Sequence, residues 1–350
     1  MHLSPKILRR AAGAACLVLI ILQLEGCYYL QAIRGHSDLM SRRRPMSDLV
    51  ADDATSADLK RRLALVLEAR DFAVTELLLP DNDSYRSYVD LERDFVVWNV
   101  FAAPEFALEP KTWCYPVAGC VAYRGYFNET SARNLAKVLG DRGFDVSVGG
   151  VSAYSTLGRF SDPLLNTMMR WSDTELVSTL FHELAHQKLY VKGDSTFNES
   201  FATAVAELGI VRWLEARDES DQLASVIDRR VLRRSLMELV APARAALEVL
   251  YQQPIDAEDM RREKREILNR LSASADALIR ANGAPGGNWL AAPLNNSRLV
   301  SLNLYEGHLE AFKLIGEECQ SDLACFYSRA EGLATMSHEA RNWILDQIKD

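Results

Sequence analysis

Phe181-His182-Glu183-Leu184-Ala185-His186-Gln187 is the stretch on which the rest of this chain turns. Its H-E-x-x-H spacing is the one by which a helix presents two imidazoles to a single zinc ion and keeps a carboxylate beside them. On an α-helix, His182 and His186 stand one turn apart, about 6 Å along the axis, on the same face. That suits two nitrogen ligands at roughly 2.0–2.1 Å from one metal. Glu183 lies about 100° further round, placed to take a proton from water at the metal without itself ligating. Only six histidines occur in 350 residues, so composition would produce the spacing by accident in roughly one such chain in a hundred.

The flanking residues support a helix. Ser172-Asp173-Thr174-Glu175 reads as a capping box, opening a helix that runs to Lys192 and stops at Gly193. Leu176, Leu180 and Leu184 trace one side of it, and Val177, Phe181 and Ala185 another. The helix is therefore apolar around both histidines, and buried. Two imidazoles and a carboxylate in that setting need partners, which a metal supplies.

Residues 1–26 have the character of a signal peptide. Lys6, Arg9 and Arg10 precede a 14-residue apolar stretch from Ala11 to Leu24, too short for the roughly 20 residues of a membrane span. Leu24-Glu25-Gly26-Cys27 resembles the lipobox of bacterial lipoproteins, which would make Cys27 the lipidated first residue. Glu25 departs from that pattern, and an uncleaved signal-anchor is the alternative. Tyr28 in place of aspartate after the cysteine implies the outer membrane of a Gram-negative cell. Both readings face the body of the chain towards the periplasm.

Removing residues 1–26 takes away three cations and one anion, so the net charge falls from −8 to −10 over the remaining 324 residues. An acidic body of that kind excludes nucleic acid as a partner. Setting aside Cys16 and Cys27 leaves Cys114, Cys120, Cys319 and Cys325, two local pairs with five residues between the members of each. In an oxidising compartment they read as the disulfides Cys114–Cys120 and Cys319–Cys325. A four-thiolate zinc site would want closer spacing.

Along the chain, 27–50 has little periodicity and reads as a tether. Leu59, Leu63, Val66 and Ala73 mark a helix ending before Pro80. Aromatic and β-branched residues suggest strands at 94–102 and 120–127, a helix near 131–142 and a strand near 144–150. A further strand at Val151–Leu157 would lie just before the metal helix. Beyond Glu199 the pattern is helical. Pro242 should break or kink the stretch from 222 to 252, 256–282 reads as a solvated helix, and Gly283–Asn296 as a loop. The fold class is thus α+β. Residues 51–350 form one domain, with a mixed lobe over 51–192 and a mainly helical lobe over 193–350.

The third ligand comes from resemblance. A metzincin would need glycine and histidine where Leu189 and Lys192 stand. Instead Asn198-Glu199-Ser200-Phe201-Ala202 resembles the N-E-x-F-A element of glutamate-zincins, in which that glutamate is the third ligand. Two other readings stay open. Thr196-x-x-Glu199 is also a capping box, and Asp194 is a rival ligand in the manner of aspartate-zincins. Glu207 would orient a ligand or pack.

Several further segments carry a broader resemblance. These are Tyr28-Tyr29-Leu30-Gln31-Ala32, Val97 to Phe106, Trp113 to Cys120, Tyr123 to Phe127, Ala153 to Gly158 and Phe181 to Glu207. Together they make the chain similar to a bacterial family of predicted aminopeptidases, zinc-dependent and often lipoproteins. The resemblance implies a zincin-like metallopeptidase whose N-terminal lobe carries an edge strand for an extended peptide. It implies one Zn2+ on His182, His186 and Glu199, with Glu183 as general base. Tyr154, Tyr190, Tyr305 or His308 would donate to the oxyanion, Tyr305 preferred. Glu105, Asp162 or Asp194 would hold the substrate amine. The contrasting reading is an envelope scaffold whose zinc is structural, closed by a fourth ligand such as His308 or Asp194.

Overall fold

A computed structural model describes residues 28–115, 119–283 and 293–349, with the backbone alone for 303–306 and 349. Residues 1–26 and Cys27 lie outside the described residues, as does most of the expected loop at Gly283–Asn296. Small sheets and long helices give the expected α+β class. No helix among the described residues is long and apolar enough to cross a membrane.

The segment that reads as a tether is structured. Helix α1 spans 28–41, followed by β1 (Arg44–Pro45) and α2 (Met46–Ala51). Its partners are distant in sequence, which is why local periodicity is silent. The Phe127 amide donates to Gln31 Oε1 at 3.1 Å. Gly35 lets the Phe127 ring come so near that a Cβ would lie 2.2 Å from it. Leu39, Met46 and Leu49 are buried in the main core. Helix α3 (Ala57–Thr75), capped by Ser56, adds Leu63, Val66, Ala69 and Ala73.

Strand β2 (Ser87–Val89) pairs antiparallel with β1 and parallel with β8 (Leu164–Leu165). The second sheet centres on β3 (Val97–Pro104), antiparallel to both β6 (Tyr123–Tyr126) and β7 (Phe144–Val151). Side chains alternate across β3. Val100 and Ala102 pack with Ala132 and Leu139 of α4 (Glu129–Gly140), while Val97 and Asn99 look out of the other face into a cavity. Strands β4 (Trp113–Tyr115) and β5 (Gly119–Val121) form a hairpin in which Cys114 sits opposite Cys120. Both expected disulfides, Cys114–Cys120 and Cys319–Cys325, are present.

The further strand expected at Val151–Leu157 is absent. The ladder ends with β7, and side chains take over its backbone groups. Thr167 Oγ1 donates to Ser152 O at 2.5 Å, and the Asp162 carboxylate accepts from Thr156 N at 2.7 Å and Oγ1 at 2.8 Å.

The helical part comprises α5 (Asp173–Lys188), α6 (Ser195–Ala216), α7 (Ser220–Leu250), α8 (Ala257–Ala281), α9 (Asn296–Glu306), α10 (Leu309–Glu318), α11 (Leu323–Ala334) and α12 (His338–Lys349). Helix α7 continues through Pro242, whose exposed position leaves the unpaired carbonyl to water. Helix α6 is buried on most sides, with Phe197 and Phe201 packed on Phe312 and Phe326. Losing one such ring costs about 3–5 kcal/mol in comparable cores. One core draws on α3, α5, α6, α10 and α11, and so spans both sides of residue 192.

Candidate metal centre

Two packed helices and the turn between them build the site. Helix α5 opens with the expected capping box: Ser172 Oγ accepts from Glu175 N at 3.2 Å, and Glu175 Oε2 accepts from Ser172 N at 2.9 Å. The helix ends at Lys188, earlier than the expected Lys192, with Leu189 already extended. Asn198 explains the early stop. Its amide accepts from Val191 N at 2.7 Å and donates to Val191 O at 2.8 Å, drawing that backbone out of the helix. Gly193 then turns the chain at φ +83°, and Gly119 of β5 packs on it. A Cβ at Gly119 would lie 2.7 Å from Gly193 N, so the disulfide hairpin sits directly against the turn.

Helix α6 returns alongside α5 and brings Glu199 to the two histidines. His182 Nε2 and His186 Nε2 are 3.1 Å apart. Glu199 Oε2 lies 3.3 Å from the first and 3.6 Å from the second. The circle through three points at separations of 3.1, 3.3 and 3.6 Å has a radius of about 1.9 Å. An ion just off that plane would have all three atoms at the ~2.0–2.2 Å of zinc–nitrogen and zinc–oxygen bonds. The donor set therefore fits zinc. No fourth His, Cys, Asp or Glu joins these three among the described residues.

The grouped side chains shift one another's ionisation. Burial opposes ionisation of Glu199, yet the two imidazoles hold its carboxyl well below the usual range. Burial also works against protonation of His186, but the charge and hydrogen bond of Glu199 raise its pKa. Glu183 is pushed up by burial, against the pull of both histidines. His186 Nδ1 is buried without a hydrogen-bond partner, so packing holds that ring in place.

All four residues open on one cavity of about 370 Å3. Its walls come from α1 (Tyr28, Ala32), the sheet (Val97, Asn99, Tyr123, Gly125, Val151), the hairpin (Tyr115, Val121) and the 153–157 segment. The lining mixes aromatic and aliphatic side chains with polar ones, among them Asn99, Ser155, Ser195 and Asn198.

The chain belongs to a known family. A family model described as "Putative aminopeptidase" matches residues 27–345. Comparison with curated proteins and with solved structures gave no match.

Within this aminopeptidase-family chain, the other residues singled out by sequence divide sharply. Tyr154 and Tyr190 line the cavity, and burial first of all raises both phenols above their ordinary pKa, keeping them protonated donors. Tyr305 belongs to α9, and its side chain is outside the described residues. His308 is elsewhere, its amide donating to Ser200 Oγ and its Nδ1 3.9 Å from Asp346.

None of the three acids considered for the substrate amine lines the cavity. Glu105 is clasped by Arg261 at 2.6 and 2.8 Å. Asp162 is buried beneath the 153–157 segment, and burial raises its pKa to about 6. Asp194 caps α6 by accepting from Phe197 N, and pairs with the buried Arg341 at 2.6 Å. It is neither a third nor a fourth ligand. Thr196 is not the cap. Glu207 pairs with Lys313 at 3.2 Å and Arg230 at 3.6 Å, away from Glu199.

Sequence reasoning missed Tyr28, Ala32, Tyr115 and Tyr123 as cavity walls. Burial and then the charge of Glu199 push the Tyr123 phenol up, so it too is a donor near the cluster. The recurring segments at 28–32 and 123–127 were the available signal.

Proposed function

We propose that this chain is a zinc-dependent, zincin-like peptidase of the bacterial envelope, acting as an aminopeptidase and held to the outer membrane, facing the periplasm, by lipid on Cys27. The observation carrying this reading is the convergence of His182, His186 and Glu199 on one point, with Glu183 on the same cavity. Zinc held by those three residues would supply Lewis acidity towards a peptide carbonyl and lower the pKa of water. Glu183 takes the proton of the attacking water and hands it to the leaving amine. Tyr154 and Tyr190 donate to the carbonyl oxygen as negative charge grows there. The apolar walls exclude bulk water and receive the side chain next to the scissile bond.

The test uses the full chain, freed of metal by a chelator. Adding one equivalent of zinc should restore hydrolysis of short peptides with a free N-terminus. Glu183→Gln should keep its zinc and lose turnover by at least the ~100-fold typical of a missing general base. A zinc-loaded Glu183→Gln as active as its parent overturns the mechanism. Equal cleavage of N-acetylated peptides replaces the aminopeptidase with an endopeptidase.

A further inference from the structure

Helix α1 has two faces. Tyr28 and Ala32 line the catalytic cavity, whereas Tyr29, Leu30 and Ile33 are 37%, 46% and 62% exposed. Ile33 stands four residues after Tyr29 and three after Leu30, so the last three share one side of the first turns. His36, one turn on from Ile33, has its ring 4.6 Å from that of Phe160, which is 53% exposed at the tip of the 153–160 segment. Tyr154 in turn meets His36 Nδ1 at 3.2 Å. Leu157, three residues before Phe160, is a cavity wall. One apolar surface patch thus backs directly onto the site.

Two observations say what covers it. The apolar stretch Ala11–Leu24 ends just before α1, so a chain entering a bilayer there brings this helix to the surface. The rim is basic on an otherwise acidic protein: Arg34, Arg43 and Arg159 are exposed, while Arg42 and Arg44 are paired with Asp38 and Asp52. Exposed apolar side chains ringed by cations match the interface of an anionic membrane.

We propose that the exposed face of α1, with Phe160, docks flat on an anionic bilayer, seated roughly 5–10 Å deep as interfacial helices are. The docked face and the cavity wall are different sides of one helix. The cavity is therefore held within about one helix diameter, ~10 Å, of the headgroups, and draws on peptides at the membrane surface. Docking follows equally from lipid on Cys27 or from a retained anchor, and it does not depend on the metal.

The test places a polarity-sensitive fluorophore at Ile33→Cys, at Phe160→Cys or, for reference, at the exposed Val249→Cys on α7, in a Cys16→Ser background with the unlabelled-site chain as blank. The full chain is reconstituted in phosphatidylethanolamine–phosphatidylglycerol vesicles carrying a nitroxide lipid. Probes at 33 and 160 should shift to the blue and lose most of their emission, and the probe at 249 should do neither. Equal signals at the three positions overturn the proposal. A blue shift already present without vesicles, and unchanged by them, assigns the face to the chain's own leader instead. Cross-linking of Ile33→Cys between two chains assigns it to a second copy.

Discussion

Asp194 and Glu199 stand five residues apart at the start of α6, the first buried and the second half-buried, and only one of them faces a site. The Asp194 carboxylate is saturated: Arg341 donates to Oδ2 at 2.6 and 3.0 Å, and Phe197 N donates to Oδ1 at 3.0 Å. The Glu199 carboxylate instead looks at two imidazoles whose nitrogens point at the same place as its own oxygen. Burial alone does not separate a structural acid from a functional one. What separates them is whether the partners close the charge off or leave it shared around a point that a cation would fill.

The largest expected effect tests that contrast directly. Glu199→Ala should release zinc, weakening affinity by more than the ~10–100-fold that loss of an outer partner costs, and hydrolysis should go with it. Zinc content per chain after dialysis against a moderate chelator is the measurement. Full retention would return the third ligand to an open question and dissolve the comparison.

Asp194→Ala should do the reverse. It leaves the Arg341 guanidinium buried and unpaired, which costs about 3–5 kcal/mol, and the metal should stay. Denaturant unfolding of the zinc-loaded protein, together with its zinc content, reads both halves. A stable variant that has lost its metal would exchange the roles assigned to the two carboxylates.

A third acid refines the comparison through pH. Asp162 has a folded pKa of about 6 because burial penalises its charge, against an ordinary value of 3.8. Between those values the folded state binds more protons than the unfolded one, so Asp162 makes stability fall as pH rises from about 4 to 6. The span corresponds to about 3 kcal/mol. Asp162→Asn should remove that fall, whatever it does to absolute stability, in matched urea titrations across the range. Parallel curves for parent and variant would mean that the carboxylate is ionised throughout.

How much of this was legible in the sequence follows from the range of each interaction. The triad His182, Glu183 and His186 and the capping box at Ser172 lie within one helix, so spacing reveals them. Glu199 needed a second helix laid alongside the first, and only a resembling motif pointed to it. Helix α1 is held by Phe127, some 90 residues away, and by glycine at position 35, which no local pattern reports. The 152–156 segment alternates like a strand, yet Thr167 and Asp162 hold its backbone in place of a ladder. The early end of α5 depends on the Asn198 clamp reaching back to Val191. Each miss is a side chain meeting backbone outside its own element.

The smallest expected effect is the most discriminating one about Glu199. A capping box at Thr196 would require Thr196 to precede the helix, with the Glu199 side chain bent back to accept from the Thr196 amide. The helix instead starts at Ser195 behind the cap at Asp194, so Thr196 is already inside its first turn. The Asp194 side chain already accepts from Phe197 N, so the Thr196 hydroxyl is not the cap, and Thr196→Ala should change stability by less than about 0.5 kcal/mol. As a cap it would cost about 0.5–2 kcal/mol. Urea unfolding of the metal-free chain distinguishes the two ranges without relying on zinc. A loss near the upper figure would mean that the helix begins two residues later, and that the Glu199 carboxylate is spent on the Thr196 backbone and turned away from the imidazoles.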